Sequence, residues 1–91
     1  MAIEARCILF EGRVQGVGFR MTAVHLSTDL PLAGTVRNTE QGSVELIVQG
    51  ESGDIDLLVG RLREQFGAFI RNVQESRMSV GPRGAGIRVI H

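Results

Sequence analysis

Lysine, tryptophan and tyrosine are absent from this sequence, and cysteine occurs once. Each absence excludes something. Without lysine, all ten basic residues are arginines, and ten acidic residues balance them to a formal net charge of zero. A chain with no basic surplus is poorly equipped for general binding to nucleic acid or to a membrane surface, where phosphates must be neutralised. Cys7 alone can neither close an internal disulfide nor hold a metal by itself, and it points to a reducing cytoplasm. No apolar run approaches a bilayer span. The opening Met1-Ala2-Ile3-Glu4-Ala5-Arg6 lacks the charged stretch and apolar core of a secretory signal.

What is present is globular in balance: 91 residues, 43% hydrophobic and 22% charged. That length makes one small domain, spanning residues 1–91, with no linker, repeat or low-complexity segment. A start at Met1 and an end in a strand read as a complete small protein. With no extra apolar stripe, a monomer is the expected state.

Residues 6–13 form an apolar strand that runs into a glycine-rich stretch, Gly12 to Gly18. From Phe19 the period changes: Phe19, Ala23, Leu26 and Leu30 line one helical face, stopped by Pro31 and Gly34. Thr35–Thr39, the turn Glu40-Gln41-Gly42 and the alternating Ser43–Gln49 form a hairpin. A second helix follows, capped by Ser52 or Gly53, with Ile55, Leu58, Val59, Leu62 and Phe66 on one face and Gly67 as its stop. Residues 70–80 make a further strand, Gly81–Gly86 a turn, and Ile87–Ile90 a last short strand. The order βαββαβ plus a short C-terminal strand is α+β. It predicts a ferredoxin-like split βαβ sandwich, with two helices on one face of an antiparallel sheet. In that topology the first two strands run the same way, so the loop after the first and the end of the second emerge on one sheet edge.

The segment Gly12-Arg13-Val14-Gln15-Gly16-Val17-Gly18-Phe19-Arg20 carries the chemistry. Glycines between a strand and a helix let successive backbone N–H groups converge as an anion-binding nest, and the helix start adds its own free N–H groups. Arg20, in the first helical turn, offers a planar fork to phosphate oxygens. No Gly-Lys-Ser/Thr follows, and the third glycine of a dinucleotide fingerprint is missing, so the loop suits one small anion.

GRVQGVGFR resembles the phosphate loop of the acylphosphatase family. Gly34-Thr35-Val36-Arg37-Asn38, with Gly42, Val44 and Gly50, is similar to that family's second signature. Together the two motifs cover about Phe10 to Gly50. The resemblance implies hydrolysis of the carboxyl–phosphate bond of small-molecule acyl phosphates, with no cofactor and no metal. It implies that Arg20 clamps the phosphoryl group, that backbone N–H groups of Gln15, Gly16, Val17, Gly18 and Phe19 cradle its oxygens, and that Asn38 orients the attacking water. Inorganic phosphate or sulfate is then an expected site ligand. Thr35 stands where the family usually carries an aromatic residue, which is expected to change packing or the shape of the pocket mouth, and Phe10 where a branched aliphatic is usual.

Other residues are set aside. His25 lies opposite the apolar helical face and reads as solvated, and His91, the last residue, reads as mobile. Cys7 reads as a small buried strand residue, Phe66 as core, and Arg13 and Arg37 as solvated neighbours of the anion site. Two other functions are compatible with the element order. One is a catalytically weak acylphosphatase-like module of the kind that begins the large carbamoyl-transferring hydrogenase-maturation proteins. The other is an RNA-recognition module, which stacks bases on strand aromatics and which four Phe and a neutral charge serve poorly.

Overall fold

Strict alternation places Val44, Leu46 and Val48 on one side of a strand and Glu45, Ile47 and Gln49 on the other, and only the first set is fully buried. The computed structural model describes residues 2–82 and 84–91. Arg83, within the Gly81–Gly86 turn, and Met1 lie outside the described residues. The chain runs β1 (Ile3–Gly12), α1 (Phe19–Leu26), β2 (Ala33–Asn38), β3 (Val44–Glu51), α2 (Ser52–Phe66), a 3-10 turn (Gly67–Phe69), β4 (Ile70–Met78) and β5 (Gly86–Val89).

The strands form a five-stranded sheet in the order β4-β1-β3-β2-β5. β1 and β2 both pair antiparallel with β3, so they run the same way, as the split βαβ order requires. β5 departs from the wholly antiparallel expectation. It pairs parallel with β2, Ala33 opposite Gly86 through Val36 opposite Val89, and makes the sheet mixed. The reason is the route of the chain: β4 lies at one edge of the sheet and β5 at the other.

Both helices bury their apolar faces against the same side of the sheet. Ile8, Phe10, Val36 and Leu46 meet Phe19, Ala23, Ile55, Leu58 and Leu62 there in one core. Phe19 is the keystone: its ring lies 4.9 Å from that of Phe10 and stacks at 4.6 Å on Phe66. The first residue of α1 is thereby locked to both β1 and α2, with ring contacts that add to simple burial.

Two helix boundaries differ from the sequence reading. α1 ends at Leu26, a turn before Pro31, because the Ser27 and Thr28 hydroxyls donate to the carbonyls of Val24 and His25, each at 2.9 Å. Such side-chain bonds offer the backbone an alternative to a further helical turn. Leu30, outside the helix, still packs against the core. At α2, Ser52 is the first helical residue and Glu51 takes the cap position without a side-chain cap bond. The Ser52 hydroxyl instead accepts from Arg6 Nη2 at 2.8 Å. Arg6 also pairs with Glu4, Asp56 and Glu75, so this one guanidinium ties α2 to β1 and β4.

Among the described residues, the other sheet face carries no helix. Cys7 sits here, half-buried and outside the helical core. Burial and the nearby Glu45 carboxylate raise its thiol pKa, with Arg37 partly offsetting them, so it is held as the poorly nucleophilic thiol. Thr35 also faces this side and lines a cavity of about 480 Å³ with Ala5, Gln49, Met78 and Arg88. Gln49 holds Gly81 and Pro82 beside it: its amide donates to the Pro82 carbonyl at 3.1 Å and accepts from the Gly81 N–H at 3.0 Å. None of the four Phe lies on this face of the central strands: Phe10 and Phe19 are core, Phe66 packs against it, and Phe69 is in the 3-10 turn. A base-stacking platform of the RNA-recognition kind is therefore missing.

Candidate active site

The β1–α1 loop is fixed at its start, middle and end before it offers anything to a ligand. A register shift at Glu11/Gly12 turns β1 out of its ladder, and the Arg13 N–H donates to the Phe69 carbonyl at 2.8 Å. Val14 is 1% exposed and pins the loop to the core. The Gln15 side-chain amide reaches across to the β2–β3 hairpin, donating to the carbonyls of Thr39 at 2.8 Å and Ser43 at 2.9 Å. Phe19 closes the loop through the aromatic cluster.

Between these anchors the backbone turns through left-handed residues. Gly16 has φ 75° and Gly18 has φ 79°, and a Cβ at either would meet nothing within 4 Å. Conformation, not space, therefore calls for glycine here, since an L side chain in this region costs about 1–2 kcal/mol. Gly18 is also the N-cap of α1 and brings no side-chain cap. The first N–H groups of the helix are left for an anion to satisfy, with the positive end of the helix dipole behind them.

A cavity of about 330 Å³ opens at this point. The loop contributes Val14, Gly16 and Gly18, and α1 contributes Phe19, Arg20 and Met21. Asn38, the last residue of β2, lines it from the parallel strand, and Val89 and His91 line it from β5 and the residues after it. Arg20 and Asn38 are both half-buried, and neither side chain makes a hydrogen bond or ion pair among the described residues. No described buried side-chain polar atom lacks a partner, so the free atoms of these two residues reach solvent. A guanidinium and an amide thus face one cavity with their hydrogen-bonding capacity unspent.

The other nearby arginines are occupied. Arg13 lies over the Phe69 ring, 5.7 Å from its centroid, and Arg37 pairs with Glu45 at 2.9 Å on the helix-free face. His25 is exposed on α1. Among the described residues no group of three His, Cys, Asp or Glu is arranged to hold a metal ion. Among the described residues no helix is long and apolar enough to cross a membrane.

Of the five loop residues whose backbone N–H groups are expected to cradle an anion, Gly16, Gly18 and Phe19 line the cavity, and Gln15 and Val17 alternate with them in the same loop. Gln15 acts through its side chain as the tie to the hairpin, and Val17 points outward at 39% exposure. Thr35 does not touch this cavity, because adjacent strand residues face opposite ways and Val36 takes the core side. His91, set aside as mobile, lies against the cavity. The parallel pairing of β5 with β2 and a 3.0 Å bond from the Ile90 N–H to the Val36 carbonyl carry it there.

The Gln15 tie yields a prediction. Gln15→Ala removes the two bonds that tie the loop to the hairpin, although the Thr39 and Ser43 carbonyls keep the Gly42 and Thr39 N–H groups as donors, and lets the loop drift relative to Asn38. Thermal unfolding should report a loss of about 1–2 kcal/mol. Because the two halves of the site are then less well registered, kcat/KM for an acyl phosphate should fall about tenfold.

A split βαβ sandwich with a glycine nest, a helix N-terminus and one free arginine at a sheet edge is the framework of a small-anion site. The family model described as Acylphosphatase matches residues 7–84 of this chain, and the chain belongs to that family. An acylphosphatase of Paenarthrobacter aurescens is 50% identical over 48 residues, covering 53% of this chain and 51% of that protein. The matched stretch thus spans about half the length of that curated relative. One from Geobacillus kaustophilus is 37% identical over 76 residues, covering 84% and 77%. Among solved structures, an acylphosphatase from Coxiella burnetii superimposes with a TM-score of 0.84 at 31% identity, covering 97% of this chain and 93% of that one.

Proposed function

We propose that this chain hydrolyses the carboxyl–phosphate bond of small acyl phosphates to a carboxylate and inorganic phosphate. The observation that carries the reading is the convergence of Arg20 and Asn38, both without side-chain partners among the described residues, on the cavity at the N-terminus of α1. The phosphoryl oxygens bind the N–H groups of the loop from Gln15 to Phe19 and the Arg20 fork. Water held by the Asn38 amide attacks phosphorus as the P–O bond to the acyl group breaks. The oxygen of water is transferred to phosphorus, and the bond's electron pair leaves with the carboxylate.

The residues suit this reaction for a specific reason. The leaving carboxylate belongs to an acid of pKa about 4, so it departs without protonation and needs no general acid. Phosphoryl transfer through a loose transition state asks for positioning and charge stabilisation, which a nest and a guanidinium supply. Asn38 cannot accept a proton at neutral pH and serves to orient the water, whose proton passes to a substrate oxygen. No step calls for a metal or cofactor.

The same reading makes the chain one monomeric, cytoplasmic unit over residues 1–91, supported by its neutral charge and its single free cysteine. Purified protein should release phosphate from acetyl or benzoyl phosphate in the presence of a chelator. Sulfate should raise the melting temperature by binding the native loop. A protein that releases no phosphate from either substrate is not an acylphosphatase.

A further inference from the structure

We propose that His91 is a substrate-binding residue, whose protonated imidazole adds a second cation to the anion pocket and tightens phosphoryl binding as the pH falls. The proposal rests on the acylphosphatase reading of this cavity. It goes beyond that reading, which assigns the phosphate charge to Arg20 alone.

The argument starts from what lines the cavity. Among the described residues, His91 is, apart from Arg20, the one lining residue with an ionisable side chain; Val14, Met21 and Val89 are apolar, and Asn38 is neutral. Its position is set by the fold. β5 pairs in parallel with β2 up to Val36 opposite Val89, and the Ile90 N–H bond to the Val36 carbonyl extends the alignment. His91 therefore travels beside β2 toward the strand end that carries Asn38.

The charged groups of the surrounding elements leave this pair alone in the pocket. On the loop, Arg13 stacks over Phe69. On β2, Arg37 is paired to Glu45 on the opposite sheet face, and in the hairpin turn Glu40 is exposed and does not line the cavity. On β5, Arg88 lines the other cavity. On α1, His25 is exposed and is not part of the lining.

Histidine is the side chain whose charge changes between about pH 5 and 8. Arginine keeps its charge throughout that window. A protonated imidazole at the cavity wall is a cation beside a dianion and tightens binding, whereas a neutral imidazole adds no such attraction. A unit charge within about 6–8 Å of a dianion, screened by water and salt, changes the dissociation constant by about three- to tenfold.

Sulfate is the probe of choice because it remains a dianion throughout, so any pH dependence belongs to the protein. Its dissociation constant should be measured by calorimetry at about pH 5.5 and about pH 8 at fixed ionic strength. The unsubstituted protein should bind about three- to tenfold tighter at the lower pH. His91→Gln should bring that ratio to about one, and His25→Gln should leave it intact. In hydrolysis assays the same pH dependence should appear in KM and not in kcat.

A His91→Gln protein that keeps the full ratio overturns the proposal. So does an unsubstituted protein whose sulfate binding depends on Arg20 but not on pH. Both results leave the acylphosphatase reading standing. A protein that neither binds sulfate nor hydrolyses acyl phosphates removes both.

Discussion

Arg20→Ala is expected to lower kcat/KM for acyl phosphate hydrolysis by about 10³-fold while leaving the melting temperature of the unliganded protein nearly unchanged. The two halves of this expectation come from different observations. The activity loss follows from chemistry. The phosphoryl group carries its charge on oxygens that need fixed donors in the transition state, and a loss of 10³ corresponds to about 4 kcal/mol of that stabilisation. The unchanged stability follows from structure: Arg20 makes no hydrogen bond or ion pair among the described residues, so nothing in the fold is unpaired by its removal. Arg6 is the contrast, because its guanidinium holds Glu4, Asp56 and Glu75 at once. Arg20→Lys is expected to be nearly as inactive as the alanine variant, since an ammonium cannot reproduce a two-pronged contact to phosphate. The measurement pairs steady-state hydrolysis with thermal unfolding in the presence and absence of sulfate. A variant that keeps more than about a tenth of the activity, or that loses sulfate stabilisation only because it has unfolded, would remove Arg20 from the catalytic role.

How much of this was legible in the residues differs from element to element. The alternation of Val44, Leu46 and Val48 reads directly as a half-buried strand, because the strand period of two is local. The helical face of Ile55, Leu58, Val59 and Leu62 is legible for the same reason, and those four residues are the buried ones of α2. The shared edge of the β1–α1 loop and the end of β2 followed from topology, and the cavity joining Gly16, Gly18, Arg20 and Asn38 agrees with it.

What stayed hidden depends on contacts between distant residues. Gln15 looks like any polar loop residue until its amide is seen bridging to carbonyls of Thr39 and Ser43. His91 looks like a loose end until β5 is seen beside β2, and the sequence signal that bore on it was the apolar Ile87–Ile90 run that makes a strand there. Of the two effects expected of Thr35, on packing or on the shape of the pocket mouth, its place opposite Val36 on the helix-free face leaves the one on packing. The early end of α1 required weighing Ser27 and Thr28 as competitors for backbone carbonyls against the later and stronger stop at Pro31.

Asn38→Ala separates binding from chemistry, and its expected signature is opposite in kind to that of Arg20. The amide stands at the end of β2, across the cavity from the loop, and its polar atoms are free of protein partners. In the proposed reaction it holds water, not phosphate. Its removal should therefore leave sulfate affinity within about twofold of the unsubstituted protein, while kcat falls by about 10²–10³-fold because the nucleophile is no longer held in line. KM for acetyl phosphate should change little, a pattern that marks an interaction made only in the transition state. Asn38→Asp provides a sharper check. It keeps the shape and adds an acceptor oxygen, but it loses the two amide donors and places a negative charge across the cavity from the Arg20 fork, so it should weaken sulfate binding as well as kcat. If Asn38→Ala instead loses sulfate affinity in parallel with kcat, the amide is a phosphate ligand and the water must be held by another group. The discriminating quantity is the ratio of the two losses, read from calorimetry with sulfate and steady-state kinetics on the same preparation.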